Sequence, residues 1–134
     1  MTPSSNDATH NRPEGSRSLD GPAFPVDLVK FSSQLKNETA WTKQDRNSIT
    51  VFKTPGLTLV LTALHEGAVL DNLPEDGVMI IQVLEGSLAA ETEKGQVELG
   101  VGQMLVLHND AGQHISADKE AVVLLTIMME DPIF

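Results

Sequence analysis

Few side chains of this chain could carry out acid–base or metal chemistry. There are four histidines and nineteen carboxylic acids, but no cysteine and no tyrosine. The absence of cysteine excludes disulfides, thiolate metal sites and cysteine nucleophiles. Catalysis would therefore depend on imidazoles, carboxylates, hydroxyls or a bound ion. A histidine beside an unpaired glutamate could exchange protons near neutral pH.

The four histidines lie in different kinds of segment. His10 belongs to a polar N-terminal stretch, and His65 ends a predicted strand, where we expect a solvated side chain. His108 and His114 flank the turn "NDAGQ" and are the candidates for ligand contact. For His114 an alternative stays open, namely an imidazole that is only hydrogen-bonded to neighbouring backbone.

Short strands must position these side chains. From Ile49 onward the chain has the period of β-strands, and Gly, Pro and Asp residues separate the segments. The eight predicted strands are ITVFK, LTLVLTALH, VMIIQVL, SLAAET, QVEL, QMLVL, QHISA and AVVLLTIMM. Their regular spacing without intervening helices predicts an all-β jelly-roll β-barrel over about residues 49–129. Lys94-Gly95 predicts a hairpin turn.

The N-terminal part differs from the rest. Residues 1–22 are rich in Ser, Asn, Pro and Gly and hardly apolar, so we expect a disordered tail. In residues 26–37, Leu28, Phe31 and Leu35 follow helical spacing with Asp27 as N-cap, which predicts a short amphipathic helix. Its apolar stripe requires a partner, either the barrel or a second subunit. A single domain over residues 23–134 follows.

Charge is unevenly distributed along the chain. The net charge is −10, and from Thr54 onward only Lys94 and Lys119 oppose thirteen carboxylates. So acidic a surface repels phosphate backbones and anionic lipid, which disfavours nucleic-acid and membrane partners. The first 21 residues lack the apolar core of a signal peptide, and no later stretch has the apolar length of a membrane span. We therefore expect a cytoplasmic protein.

A frame of glycines runs through residues 67–86, "GAVLDNLPEDGVMIIQVLEG". It resembles the first signature of the cupin superfamily, G-x5-H-x-H-x3-E-x6-G, and fits from Gly67 to Gly86 without a gap. Leu73, Glu75 and Met79 stand where the family has His, His and Glu. The resemblance implies a small single-domain, RmlC-like jelly roll whose metal signature is degenerate.

The second cupin signature, G-x5-P-x-G-x2-H-x3-N, resembles the stretch that begins at Gly102. If its loop is one residue longer than usual, His114 occupies the histidine position. His108 then replaces the proline, and Asp118 falls where Asn is common. On this alignment one of the family's metal-binding histidines is kept.

The donor set fits a divalent metal poorly. The resemblance implies an ion held by three imidazoles and a carboxylate, but here only His114 and Glu75 could bind one. Leucine has no donor atom, and the Met79 thioether is a poor ligand for hard or borderline ions. We expect no physiological metal and no other cofactor.

Alternation along the strands predicts which side chains line the barrel. Glu75, Met79, Ile81 and Val83 share one face by parity, and His114 shares a face with Ser116. The resemblance implies that the side chains of His114 and Ser116 face Met79 across the interior of the barrel. Such a mostly apolar interior with few polar groups is typical of a small-molecule site. The predicted ligand-binding residues are Glu75, Met79, Ile81, His108, His114 and Ser116.

Three classes of function are compatible with this pattern. We favour a module that binds or senses a small organic molecule, because the usual metal ligands are missing while the pocket frame is kept. The alternative is a cupin enzyme, either metal-independent or an isomerase or dioxygenase that uses a partial metal site. The third is a structural protein with a solid barrel. The lack of tyrosine as a proton donor counts against an epimerase mechanism of the kind that the superfamily includes.

A second subunit is also expected. The segment "VVLLTIMM" is continuously apolar rather than alternating, which predicts burial on both faces. Cupins commonly pair through such sheets, so the resemblance implies a homodimer with the Leu28–Phe31–Leu35 helix near the interface.

Overall fold

The computed structural model describes residues 18–70, 77–108 and 114–129, most of which lie in short antiparallel strands. Within these ranges the helices are α1 (Leu28–Asn37) and α2 (Thr39–Lys43). The strands are β1 (Arg46–Thr54), β2 (Leu57–Leu64), β3 (Val69–Leu70), β4 (Val78–Glu85), β5 (Leu88–Thr92), β6 (Gly95–Leu99), β7 (Met104–His108), β8 (His114–Ala117) and β9 (Ala121–Met128).

The strands form two sheets. Sheet A has the order β1-β2-β9-β4-β7, and sheet B has the order β3-β8-β5-β6. One apolar core contains Ile81 and Val123 of sheet A together with Ile115 and Ala90 of sheet B, so the two sheets pack against each other. The mostly-β class is confirmed. Closure of the two sheets into a jelly-roll barrel stays a prediction.

All eight predicted strands are present, and Thr92 pairs with Gly95 across the predicted hairpin turn. β9 lies at the centre of sheet A, between β2 and β4. Its Val122 packs in the core beneath the helices, and Val123 packs in the core between the sheets. The prediction that this continuous apolar segment is buried on both faces is confirmed for that part of the strand.

Helix α1 forms where the apolar spacing predicts it. The Asp27 side chain accepts a hydrogen bond from the Lys30 backbone N–H at 3.0 Å and caps the helix. Leu28, Phe31 and the fully buried Leu35 pack on the outward face of sheet A. Of the two partners that the sequence left open for this stripe, the chain's own sheet is the one that covers it.

Some elements begin earlier than predicted or were not predicted. β1 begins at Arg46 rather than Ile49, and the two-residue β3 is too short to show an alternating pattern. Most of the predicted tail lies outside the described residues. At its end, however, Leu19 is buried, and its carbonyl accepts a hydrogen bond from the Lys53 backbone N–H at 3.0 Å. Ordered contacts therefore start before residue 23.

The glycine frame has a backbone role of its own. Gly67 and Gly86 both have positive φ, at 89° and 76°, which side chains other than glycine rarely adopt. A Cβ on Gly86 would lie only 2.0 Å from the carbonyl oxygen of Glu120. Turn geometry and, at Gly86, close packing therefore require glycine at these positions, whether or not a metal is bound.

Neither α1 nor α2 is long and apolar enough to span a membrane, and the described ranges contain no other helix.

Candidate functional site between the sheets

The face of sheet A that looks toward sheet B carries the candidate site. Cross-strand pairing arranges its side chains in rows that run from β1 and β2 toward β7. The first row is Ser48, Thr62, Val123 and Val83; the second is Thr50, Val60, Leu125, Ile81 and Leu105; the third is Lys53, Thr58, Ile127, Met79 and Leu107. In these rows β1 and β2 contribute four hydroxyls, one valine and the exposed Lys53, whereas β9, β4 and β7 contribute only apolar groups.

Exposure of this inward face rises toward β1 and β2. Ile81, Val83 and Val123 are fully buried. In contrast, Thr50 and Val60 are only half-buried. The face is therefore sealed under β4 and the first half of β9 and more accessible around Thr50 and Val60, while the neighbouring Thr62 is only 3% exposed.

Ser48 and Thr62 lie directly opposite each other, and their hydroxyl oxygens are 3.1 Å apart. Either hydroxyl can donate to the other. A pair of hydroxyls has two protons and shares only one of them between the oxygens, so the second can be donated to another group. Together with the half-buried Val60, the pair offers both hydrogen bonding and apolar contact.

These hydroxyls were not among the predicted site residues. A signal for them is present in the sequence, since Ser48 and Thr50 alternate with apolar residues in "SITV", as Thr58 and Thr62 do in "LTLVLT". The same parity that places Val60 between the sheets also places Thr58 and Thr62 there.

Of the predicted pocket residues, Met79 and Ile81 lie between the sheets, with Met79 only 3% exposed. Glu75 lies outside the described residues. The parity argument for Met79, Ile81 and Val83 is confirmed, because all three belong to the core between the sheets.

The prediction that His114 and Ser116 look across at Met79 is wrong. Along β8 the side chains of Ile115 and Ala117 are buried, whereas His114 is exposed and Ser116 is half-buried. Ile115 pairs with Leu70 and Ala90, both in the core. His114 and Ser116 therefore belong to the outward face of sheet B, and a ligand contact there stays a prediction.

The reason is a shift of one residue in the second signature. The alignment that gave the histidine position to His114 assumed a loop one residue longer than usual. Counted from Gly102 without that insertion, the signature puts Gln113 at the histidine position and Ala117 at the asparagine position. The burial of Ala117 agrees with this gapless count. Gln113 itself lies outside the described residues.

His108 also differs from expectation. It ends β7, is exposed, and pairs with Val78 on the outward face of sheet A, while its neighbour Leu107 is buried toward sheet B. The His108 side chain therefore points away from the space between the sheets, because adjacent strand residues point to opposite faces. A contact between His108 and a ligand stays a prediction.

The residues at the cupin ligand positions do not fit a cupin metal. Met79 supplies a buried thioether, Leu73 has no donor atom, and on the gapless count the imidazole position holds an amide. Within residues 18–70, 77–108 and 114–129, no three His, Cys, Asp or Glu side chains are grouped to hold an ion. The absence of a physiological metal stays a prediction, and no chemistry is derived from one.

His65 is not the solvated residue that its position predicted. Its ring stacks on Trp41 with centroids 3.5 Å apart and planes 17° apart. Its Nε2 lies 2.7 Å from the Trp41 carbonyl, and because a carbonyl only accepts, Nε2 carries the proton. His65 thus joins α2 to the end of β2 and lies outside the rows between the sheets.

Comparison with known proteins gives matches only at the level of structure. No family model matches, and no curated protein matches. The chain is similar to a conserved Streptococcus pyogenes protein of unknown function, with a TM-score of 0.64 and 17% identity over 85% of this chain and 94% of that one. It is also similar to a cupin superfamily protein of Desulfitobacterium hafniense, with a TM-score of 0.59 and 12% identity over 63% and 78%.

A third similar structure is an RmlC-like cupin from Desulfovibrio desulfuricans, with a TM-score of 0.55 and 21% identity over 69% of this chain and 90% of that one. At such identities the matches establish the fold. They agree with the two packed antiparallel sheets of this chain. The resemblance predicted from the glycine frame is therefore confirmed at the level of the fold, which is similar to that of cupins.

Proposed function

We propose that this protein binds a small, uncharged and largely apolar organic molecule between its two sheets, without a metal. The observation that carries the proposal is the half-buried inward face beside β1 and β2, where Thr50 and Val60 stay accessible next to the Ser48–Thr62 hydroxyl pair. We propose further that the two sheets close as a jelly-roll barrel around the bound molecule.

The chemistry of the face supports an uncharged ligand. The first and second rows carry hydroxyl and hydrocarbon groups and no ionisable side chain. The facing positions of sheet B, such as Leu70 and Ile115, are apolar and buried. An ionic ligand would lose its hydration there without a countercharge, at a cost of several kcal/mol. A neutral molecule with one carbonyl or hydroxyl would instead accept or donate a hydrogen bond at Ser48 or Thr62.

A binding or sensing role has more support than the enzyme alternative. In the three rows of sheet A and on the facing strands of sheet B, as far as they are described, no imidazole or carboxylate points between the sheets. General acid–base catalysis needs such a group within hydrogen-bonding reach of the substrate. Glu75 lies outside the described residues, and its participation stays a prediction.

A thermal-shift screen with neutral, mainly apolar metabolites tests the proposal. We expect at least one compound to raise the melting temperature, because a ligand that binds only the folded state stabilises it. Thr62→Val keeps the side-chain shape but removes the hydroxyl, and it should weaken that compound's binding about tenfold, since a lost hydrogen bond in a desolvated site costs roughly 1–2 kcal/mol.

Thr126→Val is the matched control, because Thr126 lies on the opposite face of sheet A, beside Ile80. It should leave binding of the compound unchanged. A screen without any stabilising compound, or equal binding by the Thr62→Val variant and the wild type, would contradict the proposal.

A further inference from the structure

Hydroxyl groups follow the inward face of β1 and β2 through three consecutive rows of sheet A. The first row has the Ser48–Thr62 pair, the second has Thr50 and the third has Thr58. We name these four residues the hydroxyl ladder. Consecutive rows are two residues apart along a strand, so the hydroxyls of the ladder repeat at about 7 Å.

The hydroxyl ladder becomes more exposed toward the third row. Thr62 is 3% exposed, Ser48, Thr50 and Thr58 are half-buried, and Lys53, which shares the third row, is exposed. A molecule that enters at the third row therefore meets the ladder along one side before it reaches the Ser48–Thr62 pair.

The other side of the same space is hydrocarbon. β9 and β4 contribute Leu125, Ile127 and Ile81, and sheet B contributes Leu70 and Ile115. Packed sheets lie about 10 Å apart. The serine, threonines and valine of β1 and β2 are shorter than the leucines and isoleucines of β9 and β4, so they leave more room between the sheets.

We propose that the ligand is a flat, neutral molecule with two oxygen atoms on one edge, spaced like two neighbouring rows, such as an aromatic diol or diketone. This inference rests on the proposed function and names the class of molecule for the same site. One oxygen binds the Ser48–Thr62 pair and the second binds Thr50. A hydroxyl has one donor and two acceptor sites, so Thr50 can serve a ligand in addition to a bond within the protein.

The distribution of polar and apolar groups favours a ring system over a sugar or a flexible chain. A sugar has hydroxyls on every edge, and those that face Leu125 or Ile115 would lose their hydration without a partner. A flexible chain would lose rotational freedom on binding, whereas a rigid ring already holds its two oxygens at a fixed spacing.

Isothermal titration calorimetry of the full chain with three naphthalene derivatives tests the inference. The first, 2,7-dihydroxynaphthalene, has both hydroxyls on one edge at a spacing close to that of the rows. Its isomer 2,6-dihydroxynaphthalene has one hydroxyl on each edge, and 2-naphthol has a single hydroxyl. All three are uncharged at neutral pH. The wild type should bind the one-edge diol about tenfold more tightly than the other two, because only this diol makes both hydrogen bonds.

Thr50→Val removes the second hydroxyl and keeps the shape of the side chain. It should weaken binding of the one-edge diol about tenfold and leave 2-naphthol unchanged, because the single hydroxyl of 2-naphthol binds the Ser48–Thr62 pair. Thr126→Val, on the opposite face of sheet A, is the matched control and should keep the preference for the one-edge diol.

The inference is overturned if the wild type binds the two diols equally, or if Thr50→Val keeps the full preference for the one-edge diol. In either case binding of 2-naphthol would leave the proposed function intact. Failure of all three compounds to bind also overturns the inference, whereas the proposed function fails only if the wider thermal-shift screen finds no ligand either. The comparison of the two diols uses the wild type alone, so it does not depend on the folding of a variant.

Discussion

At the scale of single residues, Gly86 has the least room for a side chain. Its φ is 76°, and an added Cβ would lie 2.0 Å from the carbonyl oxygen of Glu120 and 2.8 Å from the Cα of Ala121. These are backbone atoms that cannot move aside as a flexible side chain would. Substitution there combines a strained dihedral angle with a direct clash between β4 and the start of β9.

We predict that Gly86→Ala lowers the free energy of unfolding by about 3 kcal/mol, the sum of strain and displaced backbone. Gly56→Ala is the control, because Gly56 has a similar φ of 84° but nothing within 4 Å of an added Cβ. The Gly56→Ala substitution should lower the free energy of unfolding by only about 1 kcal/mol. Urea denaturation of the two variants gives the comparison, and equal losses would mean that the contact with Glu120 is unimportant.

Single residues also show what the sequence could predict of the site. Parity within β4 correctly placed Met79 and Ile81 between the sheets. It failed for His114, because a shift of one residue in the preceding loop moves every side chain of a strand to the other face. The Ser48–Thr62 pair was missed because serine and threonine are common in strands, and only the pairing register brings the two hydroxyls together.

At the scale of elements, α1 is tied to sheet A by an ion pair as well as by its apolar stripe. The Lys36 ammonium lies 2.8 Å from Glu85 and 3.1 Å from Glu120. Partial burial lowers the pKa of Lys36, but the hydrogen bonds and charges of Glu85 and Glu120 raise it by more. The net pKa therefore lies above its ordinary value of 10.5.

A lysine whose pKa is higher in the folded than in the unfolded protein stabilises the folded state fully at pH values below its unfolded pKa. This stabilisation is lost as the pH rises through its folded pKa. We therefore predict that Lys36→Met lowers the free energy of unfolding by about 1 kcal/mol at neutral pH. The difference from the wild type should disappear above the ordinary pKa of 10.5. Urea denaturation of the variant and the wild type across this range checks it, since both carry the same other lysines and the chain has no cysteine or tyrosine.

Lys30→Met is the control for this ion pair, because Lys30 is an exposed lysine on the same helix. It should change stability little and without the alkaline dependence. A constant difference between Lys36→Met and the wild type from neutral to alkaline pH would indicate that packing of the Lys36 carbon chain, not its charge, is what matters.

The elements themselves were predictable where they are long and patterned. α1 and the eight predicted strands were found because their apolar period extends over several residues. α2 and β3 were missed since five and two residues are too few to establish a period. The partner of the α1 stripe was not predictable either, because the spacing of Leu28, Phe31 and Leu35 is the same whether a sheet or a second subunit covers it.

At the scale of the whole molecule, the fold is similar to that of cupins, and the described residues include no group of three His, Cys, Asp or Glu side chains that could hold an ion. The core between the sheets is assembled from hydrocarbon side chains of both sheets, with the Met79 thioether at one ligand position. The contacts that the structure describes in this core are apolar contacts.

We therefore predict that the melting temperature is the same before and after dialysis against EDTA. Elemental analysis of protein purified without chelator and without a metal-binding tag should find no stoichiometric Fe, Mn, Ni or Zn. Stoichiometric metal whose removal lowers the melting temperature would contradict the prediction, because binding to the folded state alone stabilises it.

The central place of β9 in sheet A also determines when the sheet can form during synthesis of the chain. β9 is the last strand of the described chain, yet it separates β2 from β4 and pairs with both along almost its full length. While a ribosome is still translating residues before Ala121, β2 and β4 each have an unpaired edge, and such edges invite pairing with other chains. Sheet A can therefore be completed only after Ala121–Met128 has emerged from the ribosome, and until then the nascent chain exposes two edges that favour aggregation.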